Sequence, residues 1–212
     1  KTKPKFRDIL SKSRAINLLS AARMFLFGAR DVWFVVALPV FLATSLSWDF
    51  WKVGGFLAAW IIGYGIVQSA APFVIGRRSG EPPGGGAAFG WAAVLAIVPA
   101  LMAILLARHF PPQTVLIVGL AIFGTLFAIN SALHSYLIVS YAAEDGVSLD
   151  IGFYYMANAL GRLFGTVLSG WVFQSAGLGA CLWISAIFVT LAAIVSTALP
   201  KRHQVDANGA QG

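Results

Sequence analysis

The sequence predicts an all-α integral membrane protein with six transmembrane helices, and three observations predict it. Apolar residues make up 58% of the 212-residue chain and charged residues 11%, with a mean hydropathy of +0.80. A soluble domain carries about 45–50% and about 25%. Six stretches approach the roughly 20 apolar residues that cross a bilayer. The basic residues sort to one side of those stretches, as membrane topology requires. A soluble globular domain is excluded, because so few polar side chains cannot wet its surface. Disorder is excluded too, because it needs low hydrophobicity. The single cysteine, Cys181, excludes a disulfide framework and any multi-cysteine metal site.

Residues 1–17 are basic and partly amphipathic, with Phe6, Ile9 and Leu10 at helical spacing among Lys5, Lys12 and Arg14. They read as a cytosolic linker lying on anionic headgroups. The first span covers 18–44, around MFLFGARDVWFVVALPVFLA, and the second covers 53–75. The third covers 88–107, the fourth 114–141, the fifth 151–175 and the sixth 180–199. All are rich in Gly and Ala beside Leu, Ile, Val and Phe, as membrane helices are. Breaker residues separate them: Leu46-Ser47-Trp48-Asp49, the Gly- and Pro-rich run 77–86, His109-Phe110-Pro111-Pro112, Ala143-Glu144-Asp145-Gly146 and Gly177-Leu178-Gly179. Connectors this short make consecutive helices antiparallel neighbours. Residues 18–200 thus form one six-helix domain, and the polar tail 201–212 is expected to be a disordered cytosolic end.

Six crossings leave both ends on one side. That side holds ten basic residues (Lys1, Lys3, Lys5, Arg7, Lys12, Arg14, Arg77, Arg78, Lys201 and Arg202), against Lys52 and Arg108 on the other. The split places both termini and the Arg77-Arg78 loop in the cytosol. It accounts for the net charge of +7 without a nucleic-acid partner. Trp48, Trp51, Trp91 and Phe110 fall near the expected membrane surfaces, as belt aromatics do. The chain opens on KTKPKF, without Met or a signal-type leader, so it is expected to begin inside a longer protein.

Ionisable residues at mid-membrane cost about 2.5–3.5 kcal/mol on the insertion scale, so those present face protein or water and have a role. Arg23 and Arg30 lie seven apart in the first span, on one face and about 10 Å apart along the axis. Arg23 is close enough to the cytosolic end to snorkel to the headgroups; Arg30 is too deep for that. Asp31 follows Arg30 but points about 100° away round the helix, which makes the two poor partners and turns Asp31 toward a neighbouring helix. An interhelical ion pair that fixes packing and a proton-coupling role are both open for Asp31. In the fourth span Asn130 and His134 share a face; a buried histidine there is either hydrogen-bonded structure, an anion ligand or a proton relay. In the fifth span Tyr154, Asn158 and Arg162 share a face, with Arg162 halfway across. Gly161, Gly165 and Ser169 form a small-residue ridge for close helix packing. Forked guanidinium groups suit carboxylate and phosphate oxygens. The expected ligand is therefore a small anion held by Arg30 and Arg162, with Asn130, His134, Asn158 and Tyr154 around it.

Enzyme chemistry finds no support. The loop at 76–86 is glycine-rich but lacks the Lys-Ser or Lys-Thr of a nucleotide-binding loop. His109, His134 and His203 are scattered, and neither a nucleophile elbow nor a zinc-helix motif occurs. No cofactor or metal is expected.

Six spans with cytosolic ends, a basic lead-in and an Arg-containing second-to-third loop resemble the C-terminal half of a major facilitator superfamily transporter, helices seven to twelve of twelve. The loop Gly76-Arg77-Arg78-Ser79-Gly80 is similar to a reduced copy of that family's loop signature, without its Asp and full spacing. The stretch Asn158 to Gly170 resembles its eleventh helix. Residues 13–23 and 25–36, with Trp60-Ile61-Ile62-Gly63-Tyr64-Gly65-Ile66-Val67-Gln68, are similar to the organoarsenical efflux permeases of this superfamily. The resemblance implies export of arsenylated 3-phosphoglycerate, a small polyanion, across a bacterial-type inner membrane. It implies the N-terminal half as a partner and an exposed polar face where that half packs. A multidrug exporter of the same superfamily and a non-transporting membrane scaffold are the alternatives.

Overall fold

A computed structural model describes residues 13–76, 83–142 and 147–200. The linker residues 1–12, the Arg77-Arg78 loop, the Ala143 to Gly146 connector and the tail 201–212 lie outside the described residues, and most of the basic residues that set the expected orientation lie there. The described chain is all helical: α1 (Arg14–Phe34), α2 (Ala37–Thr44), α3 (Phe50–Gly76), α4 (Gly85–Ala107), α5 (Pro112–Tyr141) and α6 (Val147–Thr197). Taking α1 with α2, five helical stretches are long and apolar enough to cross a membrane.

The fifth and sixth expected spans are one element, α6, bent at a single residue. Gly177 has φ 75° and ψ −176°, a backbone state that only glycine adopts readily. Cys181 Sγ lies 3.9 Å from the Ser169 carbonyl oxygen, although twelve residues of straight helix would separate them by about 18 Å. The chain therefore folds back at Gly177, and no longer loop is needed.

Contacts fix the helix directions. Along α1, Arg23, Phe27 and Trp33 meet Ser131, Phe127 and Phe123, so α1 and α5 are antiparallel. Trp60 and Gln68 bond to Leu120 and Ser131, so α3 and α5 run parallel. Asn130 bonds to the Trp91 carbonyl while Gly119 touches Met102, so α4 and α5 are antiparallel. The first arm of α6 runs parallel to α1 through Met24–Gly161 and Gly28–Gly165 backbone approaches. Its second arm returns past Phe25 and Gly28 through Phe188, ending against Gly85 through Leu199.

The core follows from these contacts. Trp33, Leu38, Leu120, Phe123 and Phe127 are fully buried at its centre. The apolar window of α3 is wholly unburied, and Ile61, Ile62, Ile66 and Phe73 project outward, as lipid-facing side chains do. The exposed side chains of α6 between 155 and 167 are apolar apart from Arg162. An apolar face can be covered by lipid or by an apolar protein surface, and neither calls for polar groups.

The first span is one candidate crossing, Arg14–Thr44, made of two helices. It breaks at Val35-Val36. Pro39 has no N–H for the Val35 carbonyl, and Ser169 Oγ on α6 accepts from the amides of Val36 and Ala37 at 3.3 and 3.0 Å. A side chain on a neighbouring helix thus caps the start of α2. Ser169→Ala is expected to lower stability by about 1 kcal/mol, the usual value of a lost cap, measured as the midpoint of unfolding in mild detergent.

Candidate functional site

Three charged side chains converge where α1 passes the first arm of α6. Arg30 Nε donates to Asp31 Oδ1 at 2.6 Å, and Arg162 Nε donates to Asp31 Oδ2 at 3.1 Å. Asp31 does face a neighbouring helix, but it pairs with Arg30 as well. The 100° between adjacent residues separates their Cβ atoms, and the long arginine stem curls back across that angle. Gly165 makes the approach: a Cβ there would sit 2.7 Å from the Gly28 carbonyl oxygen and 3.0 Å from Asp31 Cβ. A larger residue would hold Arg162 away from Asp31.

Burial divides the three. The Asp31 side chain is 1% exposed, Arg30 14% and Arg162 55%. Each arginine spends only Nε on the carboxylate; their terminal nitrogens have no hydrogen-bond partner among the described residues. The Arg30 guanidinium lies 5.1 Å from the Phe27 ring centroid and 5.4 Å from that of Phe127, where ring faces stabilise a cation without neutralising it. Two guanidinium groups against one carboxylate leave one positive charge, with free donors on the exposed member.

Arg23 forms a second cluster. The expectation that it snorkels is corrected: it is 5% exposed and donates from Nη1 to the Ser131 carbonyl at 3.1 Å and to Ser131 Oγ at 3.3 Å. Its guanidinium lies 4.0 Å from the Phe27 ring and 5.1 Å from the Tyr154 ring. Among the described residues no carboxylate is paired with it. Its guanidinium is turned inward to Ser131 on α5 and to the Phe27 and Tyr154 rings, so it does not reach outward. Gln68 joins this cluster through a 3.4 Å bond to Ser131 Oγ. Sequence reasoning gave neither Arg23 nor Gln68 a site role; the i, i+4, i+7 stripe Arg23–Phe27–Arg30 was the available signal.

The remaining expected site residues divide between the clusters. Tyr154 is fully buried with its ring 5.1 Å from the Arg23 guanidinium, and so belongs with Arg23 rather than Arg162. Asn158 lies between them on α6, half-buried, its Oδ1 unpartnered. Asn130 and His134 share a face as expected, but Asn130 Nδ2 donates to the Trp91 carbonyl on α4 at 3.1 Å and to the Leu126 carbonyl at 2.9 Å. His134 is 1% exposed with Nδ1 unpartnered. No hydrogen bond joins either residue to Arg30, Asp31 or Arg162 among the described residues. Adjacent positions on α5 point about 100° apart, so Ser131 meets Arg23 while Asn130 meets α4. Among the described residues no three of His, Cys, Asp and Glu gather as metal ligands.

No family model matches the sequence, and no curated protein is significantly similar to it.

Proposed function

We propose that the chain is the six-crossing C-terminal half of a twelve-helix, gradient-driven exporter of a small organic anion. Arg30 and Arg162 hold the anion, and arsenylated 3-phosphoglycerate is the substrate that the sequence resemblance implies. The observation that carries this reading is Asp31 shared between two arginines, one of them half-exposed. A half-exposed guanidinium in the middle of an apolar helix is costly in lipid, so that face meets water or protein. Its free terminal nitrogens match the paired oxygens of a carboxylate or phosphoryl group. The reversal at Gly177 and the alternating helix directions support six crossings with both ends on one side. Alternating access is then rocking of this half against the N-terminal half around the arginines.

Asp31 serves this function as an internal competitor. In the ligand-free state it occupies Arg162, the anion displaces it, and a proton on Asp31 makes the displacement easier. Asp31→Asn is therefore expected to lower the KM for anion several-fold while abolishing accumulation driven by a pH gradient. Proteoliposomes of the full-length protein, assayed with and without an imposed pH gradient, read both quantities. Unchanged gradient-driven accumulation would remove Asp31 from the coupling step. A scaffold reading is favoured by one fact: both oxygens of Asp31 are already satisfied within the protein. Arg162→Lys separates the two readings. A packing pair survives that change, whereas a forked anion contact does not.

A further inference from the structure

A cavity of about 420 Å³ opens between α4 and α5, away from the arginines. Its floor is Met102, Val115 and Gly119, all buried; its walls, including Val94, Leu101, Val118 and Ile122, stand about half-exposed. It extends along α5 from Thr114 at the α4–α5 turn to Leu126, twelve residues or about 18 Å of helix. One leaflet of a bilayer core is about 15 Å deep. A helix of that length and about 10 Å wide fills roughly 1,400 Å³, so the groove encloses a single extended chain, whereas a helix would only lie across its mouth. Phe110 lines the groove at the α4–α5 turn, and Arg108, in the same turn, is exposed, its backbone N–H bonded to the Ile104 carbonyl and its side chain without a hydrogen-bond or ion-pair partner among the described residues.

We propose that this groove binds one acyl chain of an anionic phospholipid, whose headgroup phosphate sits on Arg108. The groove is sealed at its base by close contact of α4 and α5, since a Cβ at Gly119 would lie 2.5 Å from Met102 Sδ. The chain therefore lies along the outer surface, filling the seam between the two helices. Aliphatic walls favour the hydrocarbon over water, and Arg108, two residues from Phe110 in the α4–α5 turn, favours a negative headgroup over a zwitterionic one.

The test is native mass spectrometry of the delipidated full-length protein titrated with phosphatidylglycerol and with phosphatidylcholine. One phosphatidylglycerol is expected to be retained about tenfold more tightly than phosphatidylcholine. Arg108→Gln is expected to erase that preference and leave weak binding of both. Ile122→Trp, which fills the groove, is expected to weaken both lipids about tenfold. Matched thermal unfolding of the variants in detergent guards against misfolding as the cause. Equal retention of the two lipids by the unaltered protein, or retention unaffected by both variants, overturns the proposal. So does a concentration-dependent dimer that Ile122→Trp abolishes, because a second copy would then occupy the seam.

Discussion

Arg162→Ala is expected to abolish anion export while leaving the protein inserted and folded. The side chain is 55% exposed and gives the protein one hydrogen bond, to Asp31, so its removal opens no cavity. Asp31 keeps Arg30 as a partner at 2.6 Å and is not left as an uncompensated buried charge. The ligand loses two charge-assisted hydrogen bonds, each worth about 1.5–3 kcal/mol. Transport then falls by about 100-fold or more, at tenfold per 1.4 kcal/mol. Arg162→Lys retains the charge without the fork and falls nearly as far. Arg30→Ala loses its own contact to the anion and also leaves Arg162 as the sole partner of Asp31, which holds it off the ligand. Initial rates in proteoliposomes at matched protein amounts distinguish these from folding defects.

Gly161→Ala is expected to be the most damaging of the glycine substitutions to stability. A methyl group there runs into the carbonyl group of Met24, and backbone cannot rotate aside. The α1–α6 contact would have to open, and Asp31 and Arg162 would separate with it. Overpacking a tight contact costs about 1–3 kcal/mol, occasionally more, and a backbone collision belongs at or above the upper end. Gly170→Ala is the control, since the nearest atom to a Cβ there is 4.0 Å away. Unfolding midpoints in mild detergent are expected to fall sharply for Gly161→Ala and to stay level for Gly170→Ala.

The long apolar helices were legible because the bilayer sets their length and excludes charge. The small-residue ridge was legible too, since Gly161, Gly165 and Ser169 recur every four residues on the helix that meets α1. The break before Ala37 was missed because its cap, Ser169, comes from 132 residues away, although Pro39 was a local sign of it. The pairing of Arg30 with Asp31 was missed because Cβ directions alone ignore the reach of an arginine stem. The burial of Arg23 was missed because its partner Ser131 comes from 108 residues away, and hydropathy does not show which helix faces it. Which way Asn130 and Ser131 point depends on the rotation of α5 against three neighbours, and periodicity does not set that angle.

The most direct measurement uses everted membrane vesicles carrying the full-length protein, supplied with arsenate, glyceraldehyde-3-phosphate, NAD and the dehydrogenase that joins them. Arsenic is expected to accumulate inside only when all four components are present, and not in vesicles carrying Arg162→Ala at the same protein level. Equal accumulation in both, or none in vesicles with well-inserted unaltered protein, would contradict the arginine pair as the site of arsenylated-anion export.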